Sequence, residues 1–158
     1  MTDPTGSLNF QAWRKILAGF IAGFLATLIF HQLALTVLWA VNIAPAPSFP
    51  MHPTKPLGVP AVFSLAFWGG LWGIIYAYIH HRFPQGVGYW LLAFLFGAIF
   101  PTLVAMLVVL PLKGKPMGGG WHMPLLVTAT LINGSWGLGT GIFLRFFIRR
   151  RITPADNT

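Results

Sequence analysis

Charged positions along this chain fall in clusters, and between the clusters lie four long apolar runs. Ile16 to Val41, Val59 to Ile79, Tyr89 to Leu112 and Pro124 to Leu144 contain no Asp, Glu, Lys or Arg. Each reaches the roughly 20 residues needed to cross about 30 Å of hydrocarbon. The pattern predicts an all-α polytopic membrane protein with four transmembrane helices, at about 16–41, 59–79, 89–112 and 124–144, in a single membrane domain over residues 1–158. Short connections and two tails are all that remains, which leaves no room for a soluble catalytic domain.

Small residues inside these runs repeat. Gly69-Gly70-Leu71-Trp72-Gly73 returns 64 positions on as Asn133-Gly134-Ser135-Trp136-Gly137, and each copy follows the proline that opens its run, Pro60 or Pro124, in the shared pattern P-x9-G-x-W-G. Lys55-Pro56-Leu57-Gly58 and Lys115-Pro116-Met117-Gly118 match as well, and aligning Gly23 with Gly97 brings Phe20 over Phe94. The chain therefore reads as two tandem helical hairpins, about 15–82 and 89–145. Two crossings per unit make the repeats parallel, with a pseudo-twofold axis along the membrane normal. Glycines at steps of three and four, including Gly19 and Gly23, Gly69 and Gly73, Gly134 and Gly137, make smooth faces for close helix approach. Trp72 and Trp136 lie deep in their runs, where packing into glycine grooves outweighs the alternative of holding an aromatic or quinone-like ligand.

Local signals divide the rest. Met1 to Ala12 is polar and turn-prone and is expected to be a mobile tail. Asn42 to Gly58 holds five prolines in seventeen residues, so neither helix nor regular strand is expected, and an extended outer cap follows. Pro60 is placed at the first helical position, where its missing N–H costs nothing. The tight turn at Pro84, Gly86 and Gly88 predicts antiparallel, adjacent second and third helices. Pro101 near the middle of the third helix predicts a kink, since it gives the Gly97 carbonyl no donor.

Composition agrees with the hydropathy pattern: 56% of residues are hydrophobic and only 8% charged, against roughly 25% charged in a soluble domain. The net charge of +8 would suit nucleic acid in a soluble protein, but here it sets orientation and meets anionic lipid. Arg14, Lys15, Arg82, Arg145, Arg149, Arg150 and Arg151 fall on one side of a four-span topology and Lys55, Lys113 and Lys115 on the other. Seven against three predicts cytoplasmic N- and C-termini, and no nucleic-acid partner. The first run, with Arg14 and Lys15 before it, is too long for a signal peptide and reads as a retained helix. Cysteine is absent, which removes disulfides and thiolate chemistry.

Candidate chemistry is sparse. His31, an ionisable side chain inside a span, is the strongest pointer to function. A hydrogen bond to Thr128, Thr130 or Ser64 would satisfy it as a neutral imidazole, and an axial bond to a porphyrin-type cofactor or a proton-relay step is the alternative. A metal site joining His31, His52 and His122 has no supporting short spacing. His80 and His81 beside Arg82 read as a solvated helix end. The only acids are Asp3 and Asp156, so no carboxylate is available within the spans for acid-base work or ion coupling. Asn133 replaces Gly69 in the repeat, and its amide is expected to donate to the Gly97 carbonyl that Pro101 leaves open.

Ile21-Ala22-Gly23 leading to Phe30-His31-Gln32, Leu57-Gly58-Val59-Pro60 leading to Ser64-Leu65-Ala66-Phe67-Trp68-Gly69-Gly70, and Asn133-Gly134-Ser135-Trp136-Gly137-Leu138-Gly139-Thr140 resemble a group of small four-helix inner-membrane proteins of bacteria with no assigned activity. The resemblance spans about residues 15–145 and implies location and fold but no catalytic residue. The functional expectation is a non-enzymatic structural or accessory protein that forms a homo-oligomer or joins a larger membrane complex through glycine-lined faces. A small-molecule or ion pathway formed on oligomerisation, or a cofactor-binding subunit using His31, is the alternative; the cofactor itself is unknown.

Overall fold

A computed structural model describes residues 4–149, with side chains described for 10–148. Helix α1 runs in three consecutive pieces, Pro4–Ala26, a π turn Thr27–His31 and Gln32–Ala40. A two-residue ladder follows, β1 (Pro53–Thr54) with β2 (Val59–Pro60), and then helix α2 (Ala61–Ile79) with a 3-10 turn at His80–Arg82. Helix α3 comprises Val87–Val104, a π turn Ala105–Val109 and Leu110–Leu112, and after a tight turn at Met117–Trp121 helix α4 spans Met123–Arg149. Among the described residues three helices are both long and apolar enough to cross a membrane, over Phe10–Ala40, Ala61–Arg82 and Val87–Leu112. At 27 residues α4 has the length, but Thr128, Thr130, Asn133, Ser135 and its glycines dilute its apolar character.

Three expectations about elements need correction. The tail expected to be mobile is helical from Pro4 onward, while residues 1–3 lie outside the described part. Once the apolar run has nucleated a helix, each added turn costs only propagation, and a proline at the first position fits without loss. The Pro-rich segment does contain strand, in the register Pro53↔Pro60 and Thr54↔Val59. Both prolines sit where a two-residue ladder asks for few donors, and Thr54 closes it, its carbonyl accepting from Gly58 N–H at 2.7 Å and its hydroxyl donating to the Val59 carbonyl at 2.8 Å. Pro60 ends β2, and α2 opens one residue later at Ala61. The open N–H groups of α2 are met by the cap itself, Ala61 N–H bonding the His52 carbonyl at 3.0 Å and Val62 N–H that of Pro50 at 2.9 Å. These loop carbonyls take the place of a side-chain cap.

Helix packing is closest within α1/α2 and α3/α4, then between α1 and α4. Inside each hairpin the same contacts recur. A Cβ on Gly23 would meet the Gly69 carbonyl, and one on Gly97 the Asn133 carbonyl; Gly73 faces the Gly19 carbonyl and Gly137 that of Ala93; Gly70 lies against the Phe20 ring and Gly134 against Phe94. Because these obstacles are mostly backbone, the two helices of each pair could not approach so closely with any side chain at those positions.

Between hairpins the packing is unlike on the two sides. Helices α1 and α4 meet closely, whereas α2 and α3 meet through large rings: Tyr76 to Phe96 at 5.5 Å and Trp72 to Phe96 at 6.1 Å, with the Tyr76 and Tyr89 hydroxyls 3.3 Å apart. The expected adjacency of the second and third helices is thus made by aromatic side chains. Tyr76, Tyr89, Phe96 and Trp136 form the centre of the core, all nearly or fully buried.

Candidate functional site

The side chains of Trp136 and Ser135 join α4 to α1 beside the π turn at Thr27–His31, whereas His31 and Asn133 find their partners elsewhere. Widening the helix at Thr27–His31 changes which carbonyls its own ladder serves. Two carbonyls in this region accept from α4: the Gly23 oxygen takes the Trp136 indole N–H at 2.9 Å, and the Phe30 oxygen takes the Ser135 hydroxyl at 3.2 Å. The Thr27 hydroxyl also donates to the Gly23 oxygen, at 3.0 Å. Trp136 is 2% exposed, so its ring fills the groove while its one polar atom is satisfied across the helix pair.

Its repeat counterpart behaves differently. Trp72 is half-buried and packs edge-on against Phe96; its indole N–H has no partner among the described residues. By the repeat alignment its acceptor would be the Gly97 carbonyl, and the wide, ring-filled α2/α3 side keeps that pair from forming as Trp136 and Gly23 do.

His31 is buried, and it makes no hydrogen bond to Thr128, Thr130 or Ser64. Its Nδ1 lies 3.3 Å from Nε2 of Gln32. Gln32 is fully buried, and its Oε1 accepts from the Phe49 backbone N–H at 2.7 Å. Phe49 itself adopts the left-handed region at φ 53°, costly for a bulky residue unless the surroundings hold it. One turn on, the Thr36 hydroxyl lies 2.8 Å from the Gln32 carbonyl and 2.7 Å from the Ser48 hydroxyl. Gln32 and Thr36 thus tie the Pro-rich cap to the end of α1, with His31 bracing the amide. No role for Gln32 was drawn from the sequence alone; an uncharged amide beside a histidine in an apolar run was the available signal.

Asn133 does reach α3, with a different acceptor from the one expected. Its Nδ2 donates to Thr102 Oγ1 at 2.9 Å, not to the Gly97 carbonyl, and that hydroxyl is 3.3 Å from the Ala129 carbonyl. The reason is the closeness of the hairpin: the Asn133 main chain occupies the space over Gly97, so its side chain passes on toward the next turn. Helix α3 continues through Pro101 and departs from α geometry one turn later, at Ala105–Val109. Thr128 Oγ1 is buried without a partner among the described residues.

His52 and His122 are exposed, and no group of three metal-ligating side chains comes together among the described residues. His80 is not the solvated end expected, since its ring stacks on Tyr76 at 6.2 Å, while His81 and Arg82 are exposed. Arg145 is placed over Tyr89 at 3.7 Å from the ring centroid, a cation–π contact that closes the core at this end. The glycine faces at Gly69, Gly73, Gly97, Gly134 and Gly137, expected to serve association, are occupied by this chain's own helices. Chemically the seam is a set of neutral donors on neighbouring carbonyls and hydroxyls, an arrangement that joins helices. Comparison with protein families, with curated proteins and with solved structures finds no match.

Proposed function

We propose that this chain is a four-span protein of the bacterial inner membrane, of the kind it resembles, with both termini cytoplasmic and two parallel hairpin repeats, and that it acts as a non-enzymatic structural or accessory component. The observation that carries this reading is the use made of its interior. Trp136, Ser135, Asn133 and Gln32 each direct an uncharged donor or acceptor to a neighbouring helix or to the cap. Such bonds contribute about 0.6–2 kcal/mol each in a membrane, and they build a rigid body. The fourth span rests on Thr128, Asn133, Ser135 and Thr140 of α4 being buried or half-buried in the bundle, so that hydrocarbon need not solvate them; Thr130 is exposed.

Association with a second copy or with a larger membrane complex then falls to the outward aromatic faces, such as Phe67 and Trp68 on α2 and Phe100 on α3, all about half exposed. The runner-up, a pathway formed on oligomerisation, draws support from the looser α2/α3 side. Mass measurement of the protein in native detergent micelles, with an absorption spectrum of the same sample, tests these readings. A colourless protein in a defined homo-oligomer or with a stoichiometric membrane partner is expected. A colourless monomer without a partner refutes the association, and a visible chromophore would favour a cofactor at His31.

A further inference from the structure

At the end of the bundle that carries Arg14, Lys15 and Arg145, residues of α1, α2 and α4 line a cleft of about 940 Å³. One stripe of α1 forms a wall, with Gln11, Arg14 and Lys15 toward its start and Leu17, Ala18 and Ile21 further along the helix, Leu17 and Ile21 being exposed. Lys15 to Ile21 is about 9 Å along the helix. The facing walls are mostly apolar and aromatic, with Tyr78 and Phe147 among them, and His80 is their one histidine. The cleft is thus cationic at one end and greasy at the other, and it is open to the side.

The two cations at that end rest on rings, Arg14 at 5.5 Å from the Phe10 centroid and Lys15 at 4.9 Å from that of Tyr78. A ring face engages the charge but leaves N–H donors pointing elsewhere. The chain's two carboxylates, Asp3 and Asp156, lie outside the described residues. A ligand matched to this shape carries an anion at one end and acyl chain at the other.

We infer that this cleft is a binding site for one anionic phospholipid, its phosphate between Arg14 and Lys15 and an acyl chain along Leu17 and Ile21. Basic side chains between helix ends at the cytoplasmic leaflet are placed to select such headgroups over zwitterionic ones. The site rests on the membrane reading above, which is tested separately by topology labelling, so each can fail without the other.

The test is native mass spectrometry of the full chain in micelles doped with phosphatidylglycerol or with phosphatidylcholine of the same acyl length. One phosphatidylglycerol should be retained in preference to phosphatidylcholine. The Arg14→Gln/Lys15→Gln double variant should lose about tenfold or more of that retention, given the usual worth of two interfacial cations. Arg82→Gln, an exposed cation outside the cleft, should not. Ile21→Trp, which fills the apolar part with both cations intact, should also weaken retention, so the outcome does not hang on one variant. Equal retention of phosphatidylcholine overturns the proposal, as does an equal loss in Arg82→Gln. Displacement of the lipid by inorganic phosphate alone would reduce the site to an anion site and overturn it too. If only a chain shortened after Arg149 retains lipid, the protein's own C-terminal segment is the occupant.

Discussion

Replacing Trp136 with phenylalanine separates the two functions of that side chain. The indole donates to the Gly23 carbonyl at 2.9 Å and fills the α1/α4 groove at 2% exposure. Losing an interhelical hydrogen bond in a membrane costs about 0.6–1.7 kcal/mol. Removing roughly 40 Å³ of ring from a filled site adds about 1 kcal/mol at 24 cal/mol per Å³. Trp136→Phe should therefore destabilise by roughly 1.6–2.7 kcal/mol. Trp72→Phe, half-buried and without that bond, should cost less than about 1 kcal/mol. A cycle with Thr27→Val sharpens the test, because Thr27 is the second side-chain donor to the same carbonyl at 3.0 Å. Either single change leaves one donor in place; the double change removes both, and should exceed the sum of the singles by roughly 0.5–1 kcal/mol. Reversible unfolding in mixed detergent micelles reads all four proteins. Equal effects at Trp136 and Trp72, or strict additivity with Thr27, would refute the reasoning.

Two further outcomes follow from the hairpin contacts. Gly73→Leu and Gly137→Leu should each lower the unfolding midpoint, by the order of 1–3 kcal/mol or more for overpacking, because a Cβ there meets the backbone carbonyls of Gly19 and Ala93; unchanged midpoints would place these glycines at lipid. Asn133→Leu should cost about 0.6–1.7 kcal/mol through loss of its bond to Thr102, and a parallel Thr102→Val should be non-additive with it; a variant as stable as its parent would refute that link.

The close-packing glycine positions were legible because they depend on spacing along one helix. Steps of three and four among Gly69, Gly73, Gly134 and Gly137 state which face must be smooth, and the proline-to-tryptophan spacing states that two segments use that face alike. Which neighbour the face meets is a tertiary fact. Asn133 was matched to Gly97, and its main chain does lie over that glycine, yet the acceptor of its side chain is Thr102, since a carbonyl's accessibility depends on how closely two backbones approach. The π turn at Thr27–His31 leaves no mark in hydropathy, and with it the α1/α4 seam was hidden. His31 was read as needing a partner across the bundle, whereas Gln32 next in sequence supplies it. Periodicity places such adjacent residues on different faces, and only the local turn geometry and side-chain rotamers bring them together.

The account depends on α4 crossing the membrane despite its diluted apolar character, which labelling can decide. The chain has no cysteine, so single cysteines at Ser48, Gln85, Lys115 and Asn157 can be probed in intact cells with an impermeant maleimide. The account predicts labelling at positions 48 and 115 and protection at 85 and 157 until the cells are permeabilised. Labelling at both 115 and 157, with 85 protected, would leave α4 on the outer side and contradict the four-span protein.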